Sequence, residues 1–153
     1  MTESKYAKNI LTEDLMPPQS PEYIKLMEEQ KKAGNTIDRT LLMGIQDSIV
    51  KGSFFAGCEW LWGLTGSGPV NIELPHTHDF DEIIGLFGSI KSQPRNLGGE
   101  VEFWMGGEQH IITNSCLIFI PQGVEHCPLI FRRIDSPIFM FEAGNDTVYQ
   151  KIR

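Results

Sequence analysis

The stretch Pro75-His76-Thr77-His78-Asp79-Phe80-Asp81-Glu82, with its distant counterpart Pro121-Gln122-Gly123-Val124-Glu125-His126, decides how this chain is read. Three of the four histidines lie in these two segments. Residues two apart on a strand face the same way, so His76 and His78 aim at one point. Glu82 follows Asp79-Phe80-Asp81, a segment able to bend. His126 comes 44 residues after Glu82 and must arrive on another strand. The Pro-x-Gly before it is a turn signal that sets its approach. Imidazole nitrogens and a carboxylate oxygen are the ligand set for one divalent transition metal: iron, manganese, zinc or nickel. An HxH pair alone is a weak signal, because strand histidines also serve as hydrogen-bonding groups or bind ligand directly. HxHxxxE followed by PxGxxH is far more specific.

Outward from these segments the texture is β-like from about residue 36 onward. Candidate strands are 36–43, 46–50, 53–64, 69–77, 82–88, 100–105, 109–113, 116–120, 126–133 and 137–143. Turn signals separate them, among them Gly66-Ser67-Gly68-Pro69, Gly98-Gly99 and the hairpin Met105-Gly106-Gly107-Glu108. Many short strands at this spacing predict an all-β sandwich or barrel. Residues 1–19 are polar and irregular. Ser20-Pro21-Glu22 then reads as a helix start, Ser as N-cap and Pro at the first helical position. Tyr23, Ile24 and Met27 form an apolar stripe, and Gly34 is the stop. The chain is thus expected to comprise an N-terminal extension, 1–50, packing on the barrel or on a partner subunit, and a barrel domain, 51–153. The segment 89–99, SIKSQPRNLGG, reads as a surface loop.

At the two histidine segments the chain resembles the cupin superfamily. The first cupin motif is matched by His76-x-His78-xxx-Glu82 and then Gly88; the second is matched by Pro121-x-Gly123-xx-His126. The second motif often ends in Asn three or four residues after its histidine, where Leu129 and Ile130 stand here. The resemblance covers about residues 54–142. It implies a small antiparallel β-barrel of jelly-roll type with His76, His78, Glu82 and His126 holding a metal inside, and a tendency to pair as homodimers. It implies no single reaction, since cupins include dioxygenases, isomerases, lyases, decarboxylases, storage proteins and sensors.

Length and composition fit one soluble domain. The chain has 153 residues, enough for a core of its own. Its net charge of −7 argues against nucleic acid and anionic membranes as partners. No apolar run approaches the roughly 20 residues that span a bilayer, and the N-terminus lacks the basic-then-apolar form of a leader. Three cysteines are too few and odd in number for a disulfide framework, so a cytoplasmic location is expected.

The remaining residues set expectations for a pocket. Large aromatics in a small barrel are mostly core, but Trp60, Trp62, Phe80 and Phe103 are the candidates to border a cavity that reaches the metal. Cys127 has opposite strand parity to His126 and is expected to point away. His110 and the Arg132-Arg133 pair read as surface residues. Residues 54–90 contain no Lys or Arg, so a highly phosphorylated ligand would lack counter-charges. A small carboxylate, hydroxy-acid, keto or phenolic compound fits better, bringing its own oxygen donors to the metal. Lys91 and Arg95 could supply one charge if the 89–99 loop folds over the mouth. No nucleophile or acid–base pair is visible, so any catalysis falls to the metal and to Glu82 as ligand or base. A metal-dependent enzyme, a ligand-binding sensor and a barrel with a structural metal all remain open.

Overall fold

The computed structural model describes residues 4–152; residues 1–3 and 153, the outer ends of the two expected segments, lie outside the described residues. Among the described residues a 3-10 turn, Ala7–Asn9, and one α-helix, α1 (Pro21–Lys32), precede nine strands: β1 (Thr36–Ile45), β2 (Ala56–Thr65), β3 (Val70–Glu73), β4 (Glu82–Gly88), β5 (Asn96–Met105), β6 (Glu108–Asn114), β7 (Cys116–Ile120), β8 (His126–Ile134) and β9 (Ile138–Gly144). Ser20 caps α1 as its sequence suggests, its Oγ accepting the Tyr23 amide at 3.2 Å. The helix ends at Lys32, and Gly34 takes a φ of +84°, which favours glycine.

The strands form a five-stranded sheet, β1-β2-β9-β4-β7, and a four-stranded sheet, β3-β8-β5-β6, with every strand pair antiparallel. Leu61, Ile84, Leu86, Ile138 and Met140 of the first sheet meet Val70, Val101, Phe103, Leu129 and Phe131 of the second in one buried core. The architecture is the jelly-roll expected from the motifs, with its two layers hydrogen-bonded as separate sheets rather than closed into one. Alternation decides which side chains enter the core: Leu61 and Leu86 are fully buried, while their neighbours Trp62 and Phe87 lie on the outer side.

Several boundaries differ from the sequence reading. Residues 46–50 form turns rather than a strand. β5 begins at Asn96, so residues 96–99 of the 89–99 segment are sheet; just before them Arg95 O accepts the Ser115 amide at 2.8 Å. The turn-rich remainder joins the far end of β4. β4 runs seven residues from Glu82 to Gly88, six steps of about 3.3 Å or roughly 20 Å. Lys91 and Arg95 therefore lie at the opposite end of the fold from Glu82. Thr36–Ile45, within the expected N-terminal extension, is an edge strand of the five-stranded sheet. Helix α1 packs beside β3: the Gln30 side-chain amide donates to Asn71 O at 2.8 Å and its Oε1 accepts the Asn71 amide at 2.6 Å.

A histidine and glutamate cluster beside a cavity

The two motifs meet because their backbones are laced together. His76 and His126 form an isolated bridge, His76 N donating to His126 O at 3.1 Å and His126 N to His76 O at 3.0 Å. The Gly123 amide donates to His78 O at 2.9 Å, and the Gln122 amide donates to Asp81 Oδ1 at 2.9 Å. Gly123 has φ +76°, which is why glycine stands in Pro-x-Gly. Asp81 is held in turn by Asn145, whose Oδ1 accepts the Asp81 amide at 3.0 Å.

Each of the three imidazoles is oriented the same way. Nδ1 of His76 lies 2.8 Å from Leu74 O, that of His78 2.9 Å from Phe80 O, and that of His126 2.9 Å from Val124 O. A carbonyl only accepts, so each Nδ1 carries the proton and each Nε2 is left to face the centre. Metal-binding histidines are commonly fixed through such carbonyl contacts. His78 Nε2 lies 3.0 Å and His126 Nε2 3.3 Å from the same Glu82 Oε2. All four residues are buried. The ligand atoms of His78, Glu82 and His126 form one group within 4.8 Å of one another, and those of His76, His126 and Cys127 form another, sharing His126.

The electrostatics suit a cation. Burial by itself raises the Glu82 pKa, but the imidazoles of His126 and His78 outweigh it and hold the carboxyl below the ordinary glutamate value. Burial lowers the His78 pKa, and the neighbouring Glu82 carboxylate overcomes that and moves it upward. His76 is pushed down to about 4, chiefly by burial, and is neutral. His126 Nε2 is fully buried with no hydrogen-bond partner among the described residues. A buried ring nitrogen without a partner is costly, and a divalent ion is the species that would use its lone pair together with Glu82 Oε2. The donor set, imidazole nitrogens plus a carboxylate oxygen, fits a first-row transition metal.

Residues the sequence did not single out complete the site. Tyr149, beyond β9, lies with its hydroxyl 3.0 Å from His76 Nε2. The tail is tied back by a bridge between Thr77 and Ile152 and by Lys151, whose Nζ pairs with Glu73 at 2.6 Å. Cys127 points inward rather than away, its Sγ within 4.8 Å of ring nitrogens of His76 and His126. The reason is local: Cys127 has φ +69°, and the β5–β8 register shifts between Phe103 and Met105, so simple alternation fails there.

A cavity of about 500 Å³ reaches these residues. Its apolar wall includes Phe55, Ile72, Ile84, Leu129 and Met140, and the N-terminal segment Met16-Pro17-Pro18 covers part of it. The four aromatics expected there line none of it. Trp60 and Trp62 stack on each other on the outer face, centroids 5.4 Å apart, because Glu59 and Leu61 take the inward positions of β2. Phe80 is stacked on the back of the His78 ring, 4.0 Å away and 5° from parallel, where Gly144 leaves room for it. Phe103 is buried in the core. The polar lining is richer than the sequence suggested: Arg39 pairs with Glu59 at 2.5 Å and also donates to the Tyr23 hydroxyl. These groups are distant in sequence, and the sheet order brings them together. His110 is exposed and Arg132 pairs with Glu102 at 2.6 Å, both away from the site as expected.

No family model matches the sequence, and no curated protein matches it. Solved structures do match in fold. An oxalate oxidase in complex with the substrate analogue glycolate matches over 99% of this chain and 66% of its own, with TM-score 0.53 and 12% identity. A recombinant oxalate oxidase in complex with glycolate matches over 95% and 63%, with TM-score 0.50 and 12% identity. An RmlC-like cupin from Shewanella frigidimarina NCIMB 400 matches over 71% and 75% at 16% identity, with TM-score 0.40. The chain spans about two thirds of the length of the oxalate oxidases it matches. With both motifs meeting at one end of a double-sheet jelly-roll, this chain has the fold of the cupin superfamily.

Proposed function

We propose that this protein is a metal-dependent cupin enzyme acting on a small organic molecule that brings oxygen donors to the metal. The metal would be held by His76, His78, Glu82 and His126 and would serve as a Lewis acid or activate bound water or oxygen. The observation that carries this is the common orientation of the three imidazoles, each Nδ1 on a carbonyl, with Nε2 of His78 and His126 on one Glu82 oxygen and His76 grouped with His126 beside a cavity. Glu82 is the residue proposed to act as a fixed ligand or, released from the metal, as the base. The cavity favours a ligand-accessible centre over a purely structural metal. A non-catalytic cupin that binds or senses a ligand would use the same site, and turnover separates the two. That the first matched structures hold glycolate supports a small oxygen-donor ligand as a class.

The test is elemental analysis of protein purified without added metal. Near-stoichiometric iron, manganese, zinc or nickel is expected, with ligand distances of about 2.0–2.2 Å. Replacing His78 and His126 together with Ala should abolish it, and full metal content in that variant would overturn the assignment. We further propose a homodimer in the cytoplasm. The outer face of the five-stranded sheet exposes Trp62, Ile83, Leu117 and Phe119, an apolar surface that a second copy would cover. No helix among the described residues is long and apolar enough to cross a membrane.

A further inference from the structure

Among the described residues, no group pairs with the Glu142 carboxyl. It sits on the inner face of β9, lines the cavity, and makes no hydrogen bond or ion pair among the described residues. Its Oε1 lies over Gly57, 3.4 Å from where a Cβ would stand, so the absence of a side chain there gives it room. In the sheet register Glu142 is opposite Ile84 on one side and Gly57 on the other. Glu82 and Glu59 are therefore its diagonal neighbours, at about 7–8 Å between backbones. The strands and tail contribute four carboxylates to this cavity, Glu59, Glu73, Glu82 and Glu142, against two cations, Arg39 and Lys151. Arg39 is taken by Glu59 and Lys151 by Glu73. Glu82 belongs to the histidine cluster. Glu142 alone is left over, one small-molecule length from the metal-binding residues, in the same cavity as the unpartnered Nε2 of His126.

We infer that Glu142 is the second anchor of the ligand site and receives an ammonium group, so that the ligand is a small molecule with oxygen donors at one end and an amine at the other. This rests on the metal reading given above and narrows its substrate class. A second anionic end would meet Glu142 with no free cation among the described lining residues, whereas an ammonium supplies the missing counter-charge and two or three donors. The raised pKa of Glu142, pushed up to about 8 by burial with Glu82, Glu59 and Glu73 adding to it and Arg39 opposing, is what a carboxyl without a counter-ion should show.

The probe pair is 3-amino-1,2-propanediol and glycerol, which differ by one amine in place of one hydroxyl. Binding is followed by ligand-observed NMR titration on zinc-loaded and on chelator-treated protein, for the wild type and Glu142→Gln. The amine should bind at least about tenfold more tightly than glycerol in the wild type in both states, and Glu142→Gln should bring the two within about twofold while its zinc content is unchanged. Equal binding of the two probes, no binding of either, a preference that survives in Glu142→Gln, or loss of zinc from that variant would each overturn the proposal. Failure of the wild type to take up zinc, with the amine preference intact in chelator-treated protein, would sink the metal reading alone and leave Glu142 as the amine anchor.

Discussion

Tyr149 places its hydroxyl 3.0 Å from Nε2 of His76, and so engages the lone pair that a metal would need from that histidine. Because His76 Nδ1 faces Leu74 O, Nε2 is the acceptor and Tyr149 the donor. His76 differs in this from His126, whose Nε2 faces Glu82 Oε2 at 3.3 Å and has no hydrogen-bond partner among the described residues. The tail that carries Tyr149 is held by the Thr77–Ile152 bridge, and burial keeps the phenol well above its ordinary pKa and protonated.

Tyr149→Phe should therefore tighten zinc binding. A net hydrogen bond of about 0.5–1.5 kcal/mol no longer competes for His76, which corresponds to a gain of about two- to tenfold. Competition against a chromogenic chelator measures it. Unchanged affinity in Tyr149→Phe, beside a large loss in His78→Ala, would mean that His76 is not a ligand and that the centre is the tighter His78, Glu82 and His126 set.

The Arg39–Glu59 pair is nearly enclosed, with side chains 19% and 6% exposed. Burial pushes the Glu59 pKa up, and Arg39 opposes that. Arg39→Leu should cost about 3 kcal/mol because it strands a buried carboxylate, while Arg39→Leu combined with Glu59→Leu should recover most of the loss. Urea unfolding at neutral pH reads both. A double variant as unstable as the single one would show that Arg39 acts through its bond to Tyr23 rather than through Glu59.

What the sequence made legible follows from how each group is placed. His76, His78, Glu82 and His126 sit in short motifs whose spacing is set by local strand and turn geometry, so their convergence could be read directly. Ser20 and Pro21 mark α1 for the same local reason, and β4 and β7 have the bounds expected of them. The cavity was not legible, because its wall is decided by which strands become neighbours. Glu142 enters through the pairing of β9 with β2 and β4, and Arg39 through β1 at the sheet edge. Trp60 and Trp62 were misplaced because period-two alternation says that they share a face without saying which one. Cys127 was misplaced because the alternation itself breaks at its positive φ.

The aromatics give a stability contrast. Phe103 is 1% exposed within the core, whereas Trp62 is 43% exposed on the outer face with its indole N–H on Thr40 Oγ1 at 2.9 Å. Phe103→Ala should lose about 3–5 kcal/mol; Trp62→Ala should lose under about 1 kcal/mol in stability. If the outer face pairs with a second copy, Trp62→Ala shifts sedimentation toward a species near 17 kDa, the mass of one chain. A wild type that sediments only as that species at micromolar concentration rules out the homodimer.

Glu142 also predicts a pH dependence with a definite sign. Its carboxyl has an ordinary value of 4.5 and a folded value of about 8. The folded state therefore holds a proton that the unfolded state gives up, and the stability this contributes is complete below pH 4.5 and lost as pH rises through 8. The slope is about 1.4 kcal/mol for each pH unit between those limits. Glu142→Gln removes the titration and keeps a neutral group of the same shape. Measured by urea unfolding with chelator present, variant and wild type should be nearly equal at pH 5. The variant should then become progressively the more stable of the two up to pH 8, by at most about 4 kcal/mol, with no further change above it. Taking the difference cancels histidine and other groups that titrate in the same interval. A difference that stays flat from pH 5 to pH 8.5 would mean that Glu142 is already ionised in the folded protein.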